Sequence, residues 1–380
     1  MIPKLKIGVA GLGRAFSLMV PAFTLDPRVT LVAGADPRPE ARARFAADFN
    51  AKAFDSIEEL AAQAEVDVVY IATPHQLHAA HACLAASFNK HILLEKPMAL
   101  SLEDCRAVIA ATAKSSVQLV VGHSHSFDAP VLHARRLIDS GRFGAVRMVS
   151  ALNYTDFLYR PRRPEELDTA SGGGVVFNQA AHQVDIVRLL AGSRVQRVRA
   201  MTGAWDAARA AEGAYAALLA FDNGSFASLV YSGYAHFDTD EFAGWVGEMG
   251  AAKDAASHGA ARRALRGDEL QLKNERNYGG PAFKAPASQI AHQHFGEVIV
   301  SCERADLRPL PAGVMVYADH EQRLEALAPP QVPRAEVIDE LCAAVIEGRA
   351  PLHGGEWAMA TLEVCLAMLH SASQQREVAL

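Results

Sequence analysis

Apolar residues in the first third of the chain come in short dense runs separated by stretches of helical spacing. Leu5–Ala10 (LKIGVA), Thr30–Asp36 (TLVAGAD), Val66–Ala72 (VDVVYIA), His91–Glu95 (HILLE) and Gln118–Gly122 (QLVVG) are too short for core helices and read as strands buried on both faces. Between them, residues 39–49, 57–64, 77–87 and 101–115 carry one-sided helical patterns. Ser101 with Asp104 three residues on resembles a capping box, with Asp standing where Glu or Gln is preferred. Strand and helix in alternation predict right-handed crossovers and a doubly wound parallel sheet, a Rossmann α/β domain over residues 1–124.

From Gly144 the period shortens. Residues 146–154, 195–202, 213–221 and 225–231 alternate as strands, and Asp222-Asn223-Gly224 marks a hairpin because Asn-Gly accepts positive φ. Strands in close succession predict an α+β domain over residues 125–380, an open, largely antiparallel sheet with a helix over 174–190 laid against it. Residues 251–266 are Ala-rich, a mobile surface insertion or a short helix. Prolines at 309, 311, 329, 330 and 333 punctuate the return to two closing helices near 334–347 and 356–370. A sheet with one uncovered face invites pairing, so a homodimer or homotetramer is expected.

Composition narrows the function classes. A chain of 380 residues, half of them hydrophobic, can bury two cores. A net charge of -6 gives no footprint for nucleic acid, while local arginines leave a small anionic substrate open. The five cysteines are scattered without paired spacing and read as reduced thiols of a cytoplasmic protein. No apolar stretch approaches the roughly 20 residues needed to span a bilayer, and the run after Met1 is too short for a signal-peptide core.

The candidate chemistry sits at the ends of the expected strands. Gly11-x-Gly13, with Arg14 opening the next helix, offers a tight turn and bare backbone for a pyrophosphate, although Phe16 occupies the third fingerprint position. Asp36 ends the second strand, where a carboxylate takes ribose hydroxyls; a turn or capping role before Pro37 is the bland alternative. Arg38 could meet a 2′-phosphate, so the expected cofactor is NAD, with NADP open. Thr73-Pro74 and Glu95-Lys96-Pro97 end later strands and would line the same crevice. His75, His78 and His81, like His123 with His125 and His292 with His294, lack metal-ligand companions, and no metal site is expected. Further on, Gly172-Gly173-Gly174 opens a segment in which Asn178, His182 and Asp185 share one face if it is helical. Glycines there would let a ligand approach the backbone.

Taken together, these motifs resemble the Gfo/Idh/MocA family of NAD(P)-dependent oxidoreductases over nearly the whole chain. The matches are Gly11 and Gly13; Thr73, Pro74 and His78; Glu95, Lys96 and Pro97; and Gly172 through Asp185. The resemblance implies that Lys96 and His182 flank the reacting carbon, one of them accepting a proton. Two departures weigh against an ordinary sugar: Asn178 stands where the family usually has Asp, and Ser124-His125-Ser126 where an arginine often follows.

The stretch Asp156-Phe157-Leu158-Tyr159-Arg160-Pro161-Arg162-Arg163-Pro164 lines the substrate pocket in relatives. Arg160, Arg162 and Arg163 suit carboxylates and Tyr159 suits a ring; a solvated loop balanced by Glu165, Glu166 and Asp168 is the alternative. This loop, Asn178, and Ala235-His236-Phe237-Asp238 resemble the branch that oxidises phthalate cis-4,5-dihydrodiols to the dihydroxyphthalate. A sugar or inositol dehydrogenase and a non-catalytic NAD(P)-sensing regulator are the competing readings. The presence of both Lys96 and His182 argues against the regulator.

Overall fold

The computed structural model describes residues 4–380, which form two compact units. The first holds residues 4–123, 270–286 and 332–362; the second holds 124–269, 287–331 and 363–380. The division expected from sequence assigns 270–286 and 332–362 to the second domain, but both pack with the first. Tyr278 explains one return: its ring enters an aromatic cluster with Phe16 (5.1 Å between centroids) and Phe49 (6.4 Å), and its hydroxyl donates to Asp48 at 2.8 Å. In the other, the Val121 amide donates to the His353 carbonyl at 2.8 Å, extending the sheet's hydrogen bonding outward.

In the first unit, β1 (Leu5–Ala10), β2 (Val29–Ala35), β3 (Lys52–Phe54), β4 (Val68–Ile71), β5 (His91–Leu94) and β6 (Leu119–Val121) form a parallel sheet in the order β3-β2-β1-β4-β5-β6. All four residues of β4 are buried, as a sheet covered on both faces requires. The connecting helices are α1 (Arg14–Leu25), α2 (Pro39–Phe49), α3 (Ile57–Ala61), α4 (His78–Ser87) and α5 (Leu102–Lys114). Ser101 caps α5 by accepting the Asp104 amide at 3.0 Å. Asp104 does not complete a capping box, because its carboxylate takes the Ser101 hydroxyl instead. The order reverses between β1 and β4, and nucleotides bind at such a switch point.

The second unit opens with α6 (Ala129–Asp139), β7 (Val146–Tyr154) and α7 (Ala181–Ala191). The strands β8 (Val195–Gly203), β9 (Ala214–Phe221), β10 (Phe226–Ser232), β11 (Glu297–Cys302), β12 (Ala305–Leu310), β13 (Gly313–Ala318), β14 (Glu321–Ala326) and β15 (Val378–Ala379) follow. They give a nine-stranded mixed sheet, β14-β13-β12-β11-β7-β10-β9-β8-β15, in which β7 and β10 run parallel and the other pairs antiparallel. Helices α6 and α7 cover one face. The hairpin at Asp222-Asn223-Gly224 is a three-residue loop in which only Gly224 takes positive φ (82°), so it is not the two-residue turn with both central residues left-handed. The Ala-rich stretch holds a short helix, Ala260–Ala264.

Candidate active site

The glycine loop of the first unit is built for close approach. Gly11 has φ +93°, and a Cβ there would stand 2.6 Å from the Ala72 carbonyl oxygen. Gly13 precedes α1 with no side-chain cap, and nothing lies within 4 Å of where its Cβ would be. The bare N-terminus of α1 is therefore open to a phosphate, and the loop fits NAD. Phe16 packs on Phe45 at 5.8 Å between centroids, turning the third fingerprint position toward α2. Asp36 is buried and accepts the Leu12 amide at 2.8 Å. Arg38 lies against it: Nε donates to Asp36 at 3.0 Å, and Nη2 donates to the Leu12 carbonyl at 2.8 Å. The second guanidinium nitrogen, Nη1, reaches the Tyr278 carbonyl at 3.3 Å.

His78 ties two strand ends together. Its Nδ1 lies 2.7 Å from the Pro97 carbonyl and its Nε2 2.9 Å from that of Thr73. Burial pushes His78 down to about 4, although the two carbonyls pull the other way. His78 thus fixes both Thr73-Pro74 and Lys96-Pro97, whose connecting peptide is cis. Glu95 is turned inward: it accepts the Tyr70 hydroxyl at 2.6 Å, and burial raises its pKa against the opposing influence of Tyr70, Arg334 and Lys96.

In the second unit, two of the three glycines, Gly173 and Gly174, serve the protein's own chain. A Cβ on Gly173 would stand 2.6 Å from the Glu165 carbonyl, and one on Gly174 (φ +76°) would collide with the Glu212 carboxylate. Glu212 accepts the Val176 amide at 3.0 Å and so caps this helix from across the unit. Residues Val176–Ala180 wind as a π-helix before α7 begins, so the expected regular face is widened at Asn178. Asn178 donates from Nδ2 to the Gly174 carbonyl at 2.7 Å. Asp185, buried on α7, lies 3.8 Å from Arg188.

His182 projects from α7 into a cluster of rings. Its centroid is 4.8 Å from that of His125 and 4.9 Å from Phe295, and Nδ1 lies 3.4 Å from the Ser124 hydroxyl. His125 stands between two carboxylates, with Nδ1 2.7 Å from Asp128 and Nε2 3.4 Å from Glu248. Burial alone would lower His125, but Asp128 and Glu248 outweigh it and bring it up to about 9. For Glu248 burial acts upward, and the His125 hydrogen bond and charge, with Arg160, bring it down to about 2. At neutral pH the pair is an imidazolium and a carboxylate. The sequence pattern gives His125 no metal-binding role and carries no sign of Glu248. The His125-x-x-Asp128 spacing was the available cue.

Residues 5–123 match the model of the Gfo/Idh/MocA oxidoreductase family's NAD-binding Rossmann fold, and residues 131–253 match its C-terminal domain. The chain belongs to the Gfo/Idh/MocA oxidoreductase family. It is 50% identical over 379 residues, 98% of this chain and 96% of the other, to a Comamonas testosteroni protein named 1-carboxy-3-chloro-3,4-dihydroxycyclohexa-1,5-diene dehydrogenase. A solved Bordetella bronchiseptica RB50 protein assigned as a dehydrogenase superposes with a TM-score of 0.94 at 42% identity, covering 99% of this chain and 100% of that one. The WlbA dehydrogenase of Bordetella pertussis, solved with NADH and UDP-GlcNAcA, shares the fold at a TM-score of 0.70 and 22% identity, covering 99% of each.

This oxidoreductase holds the three arginines of its loop in different states. Arg162 has its guanidinium carbon 3.6 Å over the Phe157 ring and its Nη1 3.7 Å from the Glu166 carboxylate, and burial brings it down to about 10. Arg163 pairs with Glu165 at 2.7 Å. Arg160 is half-exposed, and Glu248, Asp156 and Tyr231 face it. Tyr159 donates to Asp206 at 2.8 Å. His292 and His294 lie within hydrogen-bond reach of backbone carbonyls, at 2.9 and 2.8 Å. No helix among the described residues is long and apolar enough to cross a membrane.

Proposed function

We propose that this dehydrogenase oxidises the cis-dihydrodiol of a carboxylate-bearing cyclohexadiene ring, with NAD as acceptor. The observation that carries the reading is the His182 cluster, in which an imidazole stands among rings beside His125 and Glu248, with Arg160 facing the same glutamate. The relative at 50% identity is named for a vicinal diol on a ring with one carboxylate, which supports the same class. Arg162 and Arg163 are engaged by Glu166 and Glu165, and Arg160 alone of the three is left more open, which favours one carboxylate over the two of phthalate.

Gly11, Gly13 and Asp36 would hold NAD, which supplies a hydride acceptor for the ring carbon. His182 takes the hydroxyl proton, as a histidine can near neutral pH. The family resemblance assigns Lys96 the stabilisation of negative charge developing on the hydroxyl oxygen, and Asn178 the orientation of the diol. The carbonyl so formed tautomerises to a catechol, and aromatisation draws the reaction forward. The test is formation of reduced nicotinamide with a monocarboxylate cis-dihydrodiol, phthalate cis-4,5-dihydrodiol, inositol and glucose. Turnover of the monocarboxylate diol is expected, reduced about 10²–10⁴-fold by Lys96→Ala or His182→Ala. Oxidation of inositol or glucose with neither diol touched would overturn the reading.

A further inference from the structure

We infer that His125 is a positioning residue for His182: its fixed positive charge, seated ring against ring, keeps the His182 imidazole unprotonated and ready to accept a proton at neutral pH. The inference rests on the reading of His182 as the base and adds the group that sets its protonation state. The two histidines are buried, 2% and 6% exposed, with ring centroids 4.8 Å apart at an interplanar angle of 72°. Phe295 lies 4.9 Å from each ring, between centroids, and is itself stacked on Tyr231. Apolar ring surface around the pair leaves little water to screen a charge. Two imidazolium ions at this separation would repel each other strongly, so the first ring to take a proton holds the second neutral.

The carboxylates decide which ring is charged. Asp128, three residues on from His125, lies 2.7 Å from its Nδ1, and Glu248 arrives from a separate loop 3.4 Å from its Nε2. Both nitrogens thus face carboxylates, and at neutral pH His125 is the imidazolium. Glu248 is faced in turn by Arg160 and His294, which favour its ionised form. At Nδ1, His182 meets a hydroxyl instead, Ser124 Oγ at 3.4 Å. Other titratable groups packed with α7 have partners of their own. Asp185 lies 3.8 Å from Arg188, and Arg135 of α6 donates to the Leu189 and Leu190 carbonyls at the helix's far end. Burial keeps the Tyr215 and Tyr231 hydroxyls protonated, against Gln183 and Thr155. A base needs a nitrogen lone pair, and a doubly protonated imidazole has none to offer. Charge held on His125 therefore leaves that lone pair on His182.

Histidine-ring NMR of the full chain is the test, with the His182 signal identified by its loss in His182→Ala. In the wild type His182 should titrate below about pH 7, with His125 still protonated above that midpoint. His125→Gln, which removes the charge, should move the His182 midpoint up by at least ~1 pH unit, the scale of a unit charge at such a distance. His125→Lys, which returns a cation, should bring it back. The acid limb of kcat/KM for the monocarboxylate cis-dihydrodiol should shift in step, whereas loss of a residue that only packs would lower kcat without moving the limb. Melting curves and calorimetric titration with NAD report whether each variant is folded, and the wild-type titration stands apart from the variants. A wild-type His182 still protonated above neutral pH overturns the inference. So does a midpoint unmoved in folded His125→Gln, or a shift that folded His125→Lys leaves in place. NMR midpoints that move as expected, beside a rate profile indifferent to His182, support the inference and remove His182 as the base.

Discussion

Asp36 serves two donors at once, the Leu12 amide and the Arg38 guanidinium, and this bears on cofactor choice. Arg38 is held by Asp36, Leu12 and Tyr278 rather than turned out toward a 2′-phosphate, and the proposed preference for NAD rests on that. Asp36→Ala would remove the carboxylate and release Arg38 together. Loss of a charged hydrogen bond costs about 1.5–3 kcal/mol, so KM for NAD should rise by roughly 10- to 100-fold and the NAD/NADP ratio should fall. An unchanged ratio in steady-state kinetics would remove Asp36 from the ribose site. His125 makes a second prediction at this scale. Its folded pKa of about 9 lies above the ordinary histidine value, so its stabilisation is full below about 6.5 and lost as pH rises through 9. Glu248, at about 2, contributes above about 4.5 and loses that as pH falls through 2. The groups facing His125 are Asp128 on its own turn, Glu248, and the rings of His182 and Phe295. Melting temperature should therefore fall between pH 7 and 9.5 in the wild type, and by less in Glu248→Gln. Equal slopes would show that the pair is not charged as described.

Two glycines at helix entrances separate folding from binding. Gly174 has positive φ and lies against Glu212, so Gly174→Ala should destabilise by more than the ~1–2 kcal/mol of a left-handed alanine and lower the melting temperature. Gly13 has φ −93° and open space around its Cβ direction, so Gly13→Ala should melt as the wild type while KM for NAD rises. A stable Gly174→Ala, or a Gly13→Ala with unaltered KM, would contradict this division of labour. The same contrast explains what the sequence made legible. The nucleotide loop was readable because fingerprint, strand and helix are contiguous, and β1, α2 and β7 have the limits their apolar patterns imply. The glycine triplet was legible as a motif but not in its purpose, since Glu165 and Glu212 approach from other segments. β14 alternates between half-exposed and exposed positions and buries no residue, and its largely polar sequence, EQRLEA, carries no apolar alternation, so its pairing with β13 is what marks it as a strand. Glu248 reaches His125 from a different loop, which no local spacing encodes.

The second unit's sheet leaves a whole face without helices. Register places Met201, Leu218, Phe226, Ile299, Tyr317 and Leu324 on that face, opposite the side covered by α6 and α7, and all six are exposed. Scattered apolar residues on a surface need no explanation, but a stripe crossing most of a nine-stranded sheet does. The cover we propose is a second copy of the same face: a two-fold pairing of like stripes would bury both at once and close the assembly. Light scattering should therefore give a mass of two or four times 40.7 kDa for the full chain. Leu218→Arg with Ile299→Arg, two changes at exposed positions on different strands, should reduce that mass toward the monomer while the protein stays folded. Like charges brought together across a desolvated two-fold contact cannot both be paired, so the penalty falls on association. A wild type that elutes at the monomer mass, or a double variant that keeps the full assembly, would show that this face is not the interface.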